Sequence, residues 1–152
     1  MTISLDHTIV PARDKHAAAE FLGNVLGLEV TTDPGGYFAQ LTLANGVTLD
    51  YYDGPGFQSG FPSLHWAFVV TDEEFDAAMG RLIEAGVRYY ALPHQPDETA
   101  HQVSYSARGH RGVYFPDPEG HGMELLTATE DPADEWWVGD YRNATAAELP
   151  KG

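Results

Sequence analysis

Val113-Tyr-Phe-Pro-Asp-Pro-Glu-Gly-His-Gly-Met-Glu-Leu-Leu126 is the stretch whose reading decides the rest. It runs as strand, turn, strand: an apolar segment, a reversal dense in Pro and Gly, then a second apolar segment. Asp117-Pro-Glu-Gly120 carries the turn chemistry, Pro118 setting φ and Gly120 free to take a positive one. Glu124 falls inside the returning strand of Met, Leu and Leu. A carboxylate in an apolar strand is costly to bury alone, so it requires a partner or a metal, unless the strand is one-sided and Glu124 faces water.

Working back to the N-terminus, the same pattern occurs twice. Ile3 to Val10 alternates as a strand with His7 on the face of Leu5 and Ile9, and Pro11 ends it. Asp14 caps a helix bearing Ala18, Phe21, Leu22, Val25 and Leu26, and Gly27 closes it. Leu28 to Thr32 is a strand. Tyr37 to Ala44 and Val47 to Tyr52 flank Asn45-Gly46 as a hairpin. After the connector 54–62 the order restarts. Ser63 to Val70 is a strand with His65 and Ala67 on one face and Trp66 on the other. Thr71-Asp-Glu-Glu74 forms a capping box, and its helix stops at Gly86. Val87 to Leu92 is a strand, and the hairpin around Gly120 closes the second unit.

Counting supports the repeat. His7 and Gly27 are 20 positions apart, His65 and Gly86 are 21, and each hairpin glycine, Gly46 or Gly120, precedes its carboxylate, Asp50 or Glu124, by 4. The surplus in the second half is 15 residues, assigned to an insertion in the loop 93–110. His7 thus answers to His65, and Asp50 to Glu124. The expected fold is α+β, two paired βαβββ modules forming a curved sheet cup with helices outside. The domain spans 1–127 (modules 3–53 and 63–127), followed by an acidic tail 128–152 carrying Trp136-Trp137. Adjacent tryptophans in a polar tail suggest docking onto the domain or onto a second subunit.

Composition limits the partners. The 152 residues carry a formal charge of −15 and no cysteine. That argues against nucleic acid and anionic membranes, and removes disulfides, thiolate ligands and a Cys nucleophile. No signal peptide or membrane-spanning stretch is read, so the expectation is a cytoplasmic protein acting on a small molecule.

Two strand-borne histidines and two carboxylates at matched repeat positions point to a metal site. Two neutral imidazoles and a carboxylate leave open coordination positions for substrate or O₂; iron, manganese or zinc accept such a set. Parity places Ala67, Gly122 and Leu41 around the site, Tyr52 with them and Tyr51 with the helix layer. Asp50 is a fourth ligand or an outer base.

These modules, the Leu-Asp-His7 start, His65, and the motif from Val113 to Glu124 resemble the vicinal oxygen chelate superfamily. Its members include glyoxalases, fosfomycin-resistance proteins, extradiol dioxygenases and bleomycin-resistance proteins. The resemblance covers about residues 3–127. It implies that His7, His65 and Glu124 are divalent-metal ligands and that Asp50 occupies the glyoxalase-type fourth position, usually Glu. It further implies a homodimer and chelation of vicinal substrate oxygens. The hairpin motif matches that of extradiol dioxygenases, so Tyr114 corresponds to their substrate-adjacent tyrosine. The acid–base histidine that pattern requires is replaced here by Tyr105, Ser106 and Ala107. Asp50, Tyr114 and Tyr105 are therefore the candidate catalytic residues. Arg108 and Arg111 are the only nearby cations for a phosphonate, and with His94, His101 and His110 they lie where substrate contacts often reside. His121 is expected to be bound in the turn or exposed. The function expected is a dioxygenase- or glyoxalase-like metal enzyme; the competing class is a non-catalytic protein that sequesters an antibiotic.

Overall fold

In the computed structural model, residues 2–136 and the backbone of 140–143 are described, and they fall into two compact units. One comprises the described residues up to 62 with 117–119; the other comprises 63–116 and the described residues from 120 onward.

The first unit holds β1 (His7–Pro11), α1 (Lys15–Leu26), β2 (Thr31–Thr32), β3 (Ala39–Thr42), β4 (Thr48–Tyr52) and the short helix α2 (Pro55–Gln58). Its sheet has the order β1-β4-β3-β2, with β1 parallel to β4 and the others antiparallel. Asp14 caps α1 by accepting from Ala17 N, and Gly27 ends it at φ 71°. Gly46 turns the β3–β4 hairpin at φ 84°. Ala18, Ala19, Leu22 and Val25 of α1 are buried, with Leu41, Leu49 and Tyr51. Gly23 permits the close packing: a Cβ there would meet Leu28 O at 2.8 Å and Leu41 at 3.2 Å.

The second unit holds β5 (His65–Val69), α3 (Asp72–Glu84), β6 (Gln102–Tyr105), β7 (Arg111–Pro116), β8 (Gly122–Leu126) and β9 (Asp140–Asn143), in the sheet order β5-β8-β7-β6-β9. The capping box at Thr71 and Glu74 is formed, and Phe75, Ala78, Met79 and Leu82 of α3 are buried. Each unit thus contains a βαβββ module with a helix covering one sheet face, the second extended by β9 at the sheet edge, and the internal repeat is real at the level of register. His7 pairs with Thr48, two residues before Asp50; His65 pairs with Gly122, two residues before Glu124.

Several expectations are corrected. The first strand begins at His7 rather than at Ile3, and Pro11, paired with Tyr52, is its last residue. Val87 to Leu92 is not a strand: only Tyr90 bridges, to Tyr114 and Ala100, because residues 89–91 bond back to 99–101 after the turn that follows Pro93. The expected loop 93–110 contains β6, which takes the place beside β7 that β2 holds beside β3. Leu41 does not share the face of Asp50. Gln40 is the register partner of Asp50, so Leu41 points to α1 and Gln40 takes the expected place. His121 is fully buried, its Nδ1 accepting from Leu64 N at 3.0 Å and its ring edge-on to Trp66 at 5.3 Å. Trp137 lies outside the described residues.

Candidate metal and substrate site

On β5 and β8 the parallel register brings His65 beside Gly122 and Ala67 beside Glu124. The His65 ring follows from this. Nδ1 lies 3.0 Å from the carbonyl oxygen of Gly122, and since a carbonyl can only accept, Nδ1 carries the proton. Nε2 then presents its lone pair, and it sits 3.1 Å from Oε2 of Glu124. Two electron-pair donors so close need a cation between them, a second proton or a metal. Cis ligands at about 2.1 Å from an octahedral metal stand about 3.0 Å apart, so the pair fits one edge of such a site.

Glu124 is 4% exposed. Tyr114, its cross-strand neighbour, donates its hydroxyl to it. Burial first, and then this bond to a carboxylate, push the Tyr114 phenol far above its ordinary value, so it remains a neutral donor. The His65, Tyr114 and Tyr90 rings form a ladder: His65 to Tyr114 is 6.2 Å at 26°, and Tyr114 to Tyr90 is 6.4 Å at 5°.

In the first unit His7 shows the same protonation logic. Its Nδ1 donates to Oδ2 of Asp6 at 2.7 Å, leaving Nε2 free on a half-exposed ring. That bond is the main cause raising the His7 pKa above its ordinary value, and the charge of Asp50 adds to it. Asp50, 5% exposed, accepts from Nε2 of Gln40 at 2.9 Å. Both histidines therefore have Nδ1 tied and Nε2 available, the arrangement typical of metal-binding imidazoles. Among the described residues no group of three or more His, Cys, Asp or Glu is gathered to hold a metal. The expected ligands meet as pairs: His65 with Glu124, and His7 in the field of Asp50.

Tyr105 pairs in register with Arg111, on the sheet face opposite Ser104, Tyr114 and Glu124. Arg111 points to α3, bonding Asp76 at 2.6 Å and Asp72 at 2.9 Å, with its guanidinium 4.5 Å from the Phe75 ring. Arg108 is paired with Asp131 at 3.1 Å. Two residues at the site, Ser104 and Glu130, escape the sequence reading, and Trp136 is read there only as a docking residue of the tail. Ser104, Glu130 and Trp136 line a small recess, open to solvent, together with Ala91, Leu92, Tyr114, Glu124 and Leu126. Alternation in Gln102-Val-Ser-Tyr105 would have marked Ser104 had that segment been read as a strand.

Residues 4–125 match the Glyoxalase/Bleomycin resistance protein/Dioxygenase superfamily. The chain belongs to this superfamily. A metallothiol transferase, FosB of Lysinibacillus sphaericus (strain C3-41), is 30% identical over 134 residues, covering 85% of this chain and 86% of that protein. Among solved structures, oxidase ChaP-H2 superposes with a TM-score of 0.76 at 43% identity, over 85% of this chain and 96% of that one. Oxidase ChaP-H1 gives 0.74 at 38% identity, over 84% and 98%. Relatives within the superfamily are thus enzymes, one a metallothiol transferase and two named oxidases. No helix among the described residues is long and apolar enough to cross a membrane.

Proposed function

We propose that this member of the superfamily is a divalent-metal enzyme that binds a small organic molecule through two neighbouring oxygens and oxidises it with O₂ as the electron acceptor. His7, His65 and Glu124 are the proposed ligands, with Asp50 as a fourth ligand or the base beside them. The observation that carries the reading is the His65–Glu124 pair, with its donor atoms 3.1 Å apart and the imidazole tautomer held by Gly122. When bound, the metal would supply Lewis-acid stabilisation to an oxyanion of the chelated substrate.

The remaining work falls to the chain itself. Tyr114 holds Glu124 in one orientation and keeps its own proton. Asp50, buried and steadied by Gln40, is the carboxylate available to accept a proton from a substrate hydroxyl. Tyr105 is left out of this constellation because its register turns it to the opposite face. Two features favour oxidation over transfer to a phosphonate. The likeness to the two oxidases is greater than that to the transferase, and Arg108 and Arg111 are both engaged by aspartates. A homodimer is the working assembly that the resemblance to the superfamily implies.

The test is metal content by mass spectrometry on protein purified without a nickel column, with sedimentation of the same samples. About one metal per chain is expected in wild type, lost in Glu124→Ala, with two chains per particle. Loss in Asp50→Ala as well assigns Asp50 as a ligand; retention assigns it as the base. Wild type that stays empty after reconstitution with iron, manganese or zinc refutes the enzyme reading and leaves ligand sequestration.

A further inference from the structure

His121 is a fully buried histidine outside the proposed ligand set. A buried imidazole is costly unless its nitrogens are hydrogen-bonded. Nδ1 lies 3.0 Å from Leu64 N, and because a backbone N–H can only donate, Nδ1 is the acceptor and the ring proton sits on Nε2. The ring packs edge-on to Trp66 at 5.3 Å. Trp66 follows His65 in β5, so alternation turns it to the opposite sheet face. His121 therefore packs on the far side of the sheet from His65 and Glu124.

Its partner is nonetheless one residue from a ligand. Four bonds run in order between 63–65 and 120–122. Ser63 Oγ donates to Gly120 O at 2.7 Å, Leu64 N to His121 Nδ1 at 3.0 Å, Gly122 N to Leu64 O at 2.9 Å, and His65 Nδ1 to Gly122 O at 3.0 Å. The last of these decides which nitrogen of His65 is free. A hydrogen bond of this kind is lost by about 3.6 Å, so a slip of roughly half an ångström where β5 begins would release the ring. Released, His65 would carry its proton on Nε2, donate it to Glu124 Oε2 at 3.1 Å, and so block the lone pair that a metal needs. Ser63 is exposed; of the four bonds, the one to His121 is made by a fully buried side chain, which water cannot readily replace.

We infer that His121 is a positioning residue: by accepting from Leu64 N it fixes the start of β5, and so keeps the His65 proton on Nδ1 and the Nε2 lone pair toward Glu124. The requirement is an acceptor at the place of Nδ1. Asparagine Oδ1 stands as many bonds from Cβ as that nitrogen does, glutamine Oε1 is one bond too far, and phenylalanine has no acceptor.

The inference rests on the metal-centred reading of His65, and the two can fail separately. Metal-free wild type, His121→Asn, His121→Gln and His121→Phe, carrying isotope-labelled histidine, are compared by nitrogen NMR at about pH 8, above the ordinary histidine range. His65 is assigned through His65→Gln. Zinc affinity, by competition with a chromophoric chelator, and the thermal midpoint are recorded alongside. Arg111→Met serves as a control whose stability is lowered away from the site. Expected is a His65 proton on Nδ1 in wild type, His121→Asn and Arg111→Met, and on Nε2 in His121→Gln and His121→Phe. Zinc affinity should stay within about twofold in the first group and fall by about 3–10-fold in the second, the worth of one hydrogen bond. Asparagine leaves part of the ring's space empty, so its midpoint should fall although the site holds. A His65 that keeps its Nδ1 proton in either His121→Gln or His121→Phe, one that loses it in His121→Asn, or zinc affinity that follows the midpoint across the set would overturn the inference. If His121→Phe does not fold, asparagine against glutamine decides alone. Wild type that takes up no zinc would sink the metal reading, while the position of the His65 proton still judges the role of His121.

Discussion

Tyr114→Phe isolates a single bond at the site. The substitution keeps the ring, and with it the stacking on His65 and Tyr90, and deletes the hydroxyl that donates to Glu124. Glu124 is 4% exposed, so water cannot readily replace that donor. A hydrogen bond to a charged group contributes about 1.5–3 kcal/mol. Outer partners of metal ligands typically change affinity by about 10–100-fold when removed, or about 1.4–2.7 kcal/mol. The two ranges overlap, and we expect metal affinity to fall by about 10–100-fold. The assay is competition for zinc against a chromophoric chelator at neutral pH, with Tyr90→Phe as the control that preserves stacking without touching Glu124. Affinity within threefold of wild type would refute the reasoning. So would tighter binding, which would mean that the phenol competes with the metal for the carboxylate instead of orienting it.

Arg111→Met should lower stability and leave metal content unchanged. Removing one partner of a buried pair costs about 3–5 kcal/mol, but Asp72 is 77% exposed and regains water, and Met retains packing on Phe75; we expect about 1–3 kcal/mol by denaturant unfolding. Loss of metal with stability intact would show that Arg111 serves the site rather than the fold. Mild acid should leave the tail docked. The Asp131 carboxyl is held below its ordinary value, first by the Ala133 N–H and then by Arg108. A depressed acid contributes above its unfolded pKa, about 3.9 for aspartate, and loses that contribution only as pH falls through the lower folded value. Tryptophan fluorescence should therefore show no step between about pH 7 and 5; a step there would contradict this account of the anchor.

The carboxylate in the hairpin motif was legible because turn chemistry is local. Gly120 fixes where the strand reverses, and a period of two then tells which face Glu124 takes. His65 was legible for the same reason, and the repeat joined it to His7 and Asp50 by counting alone. Leu41 was misplaced because parity counted along one strand says nothing about its neighbour; the pairing of Gln40 with Asp50 sets that, and pairing is a tertiary fact. Ser104 takes the face expected of Tyr105 on the same ground, since the pairing of β6 with β7 sets which face each residue takes.

By itself, the order of residues determined the module, the repeat and the histidine and carboxylate positions, all of which depend on local backbone preference and spacing. The tertiary structure alone decided which nitrogen of His65 is free, which hydroxyl reaches Glu124, and that a tryptophan from the tail lies beside it. Those outcomes depend on distances between segments far apart in the chain, which burial and hydrogen bonding set only once the sheets have formed.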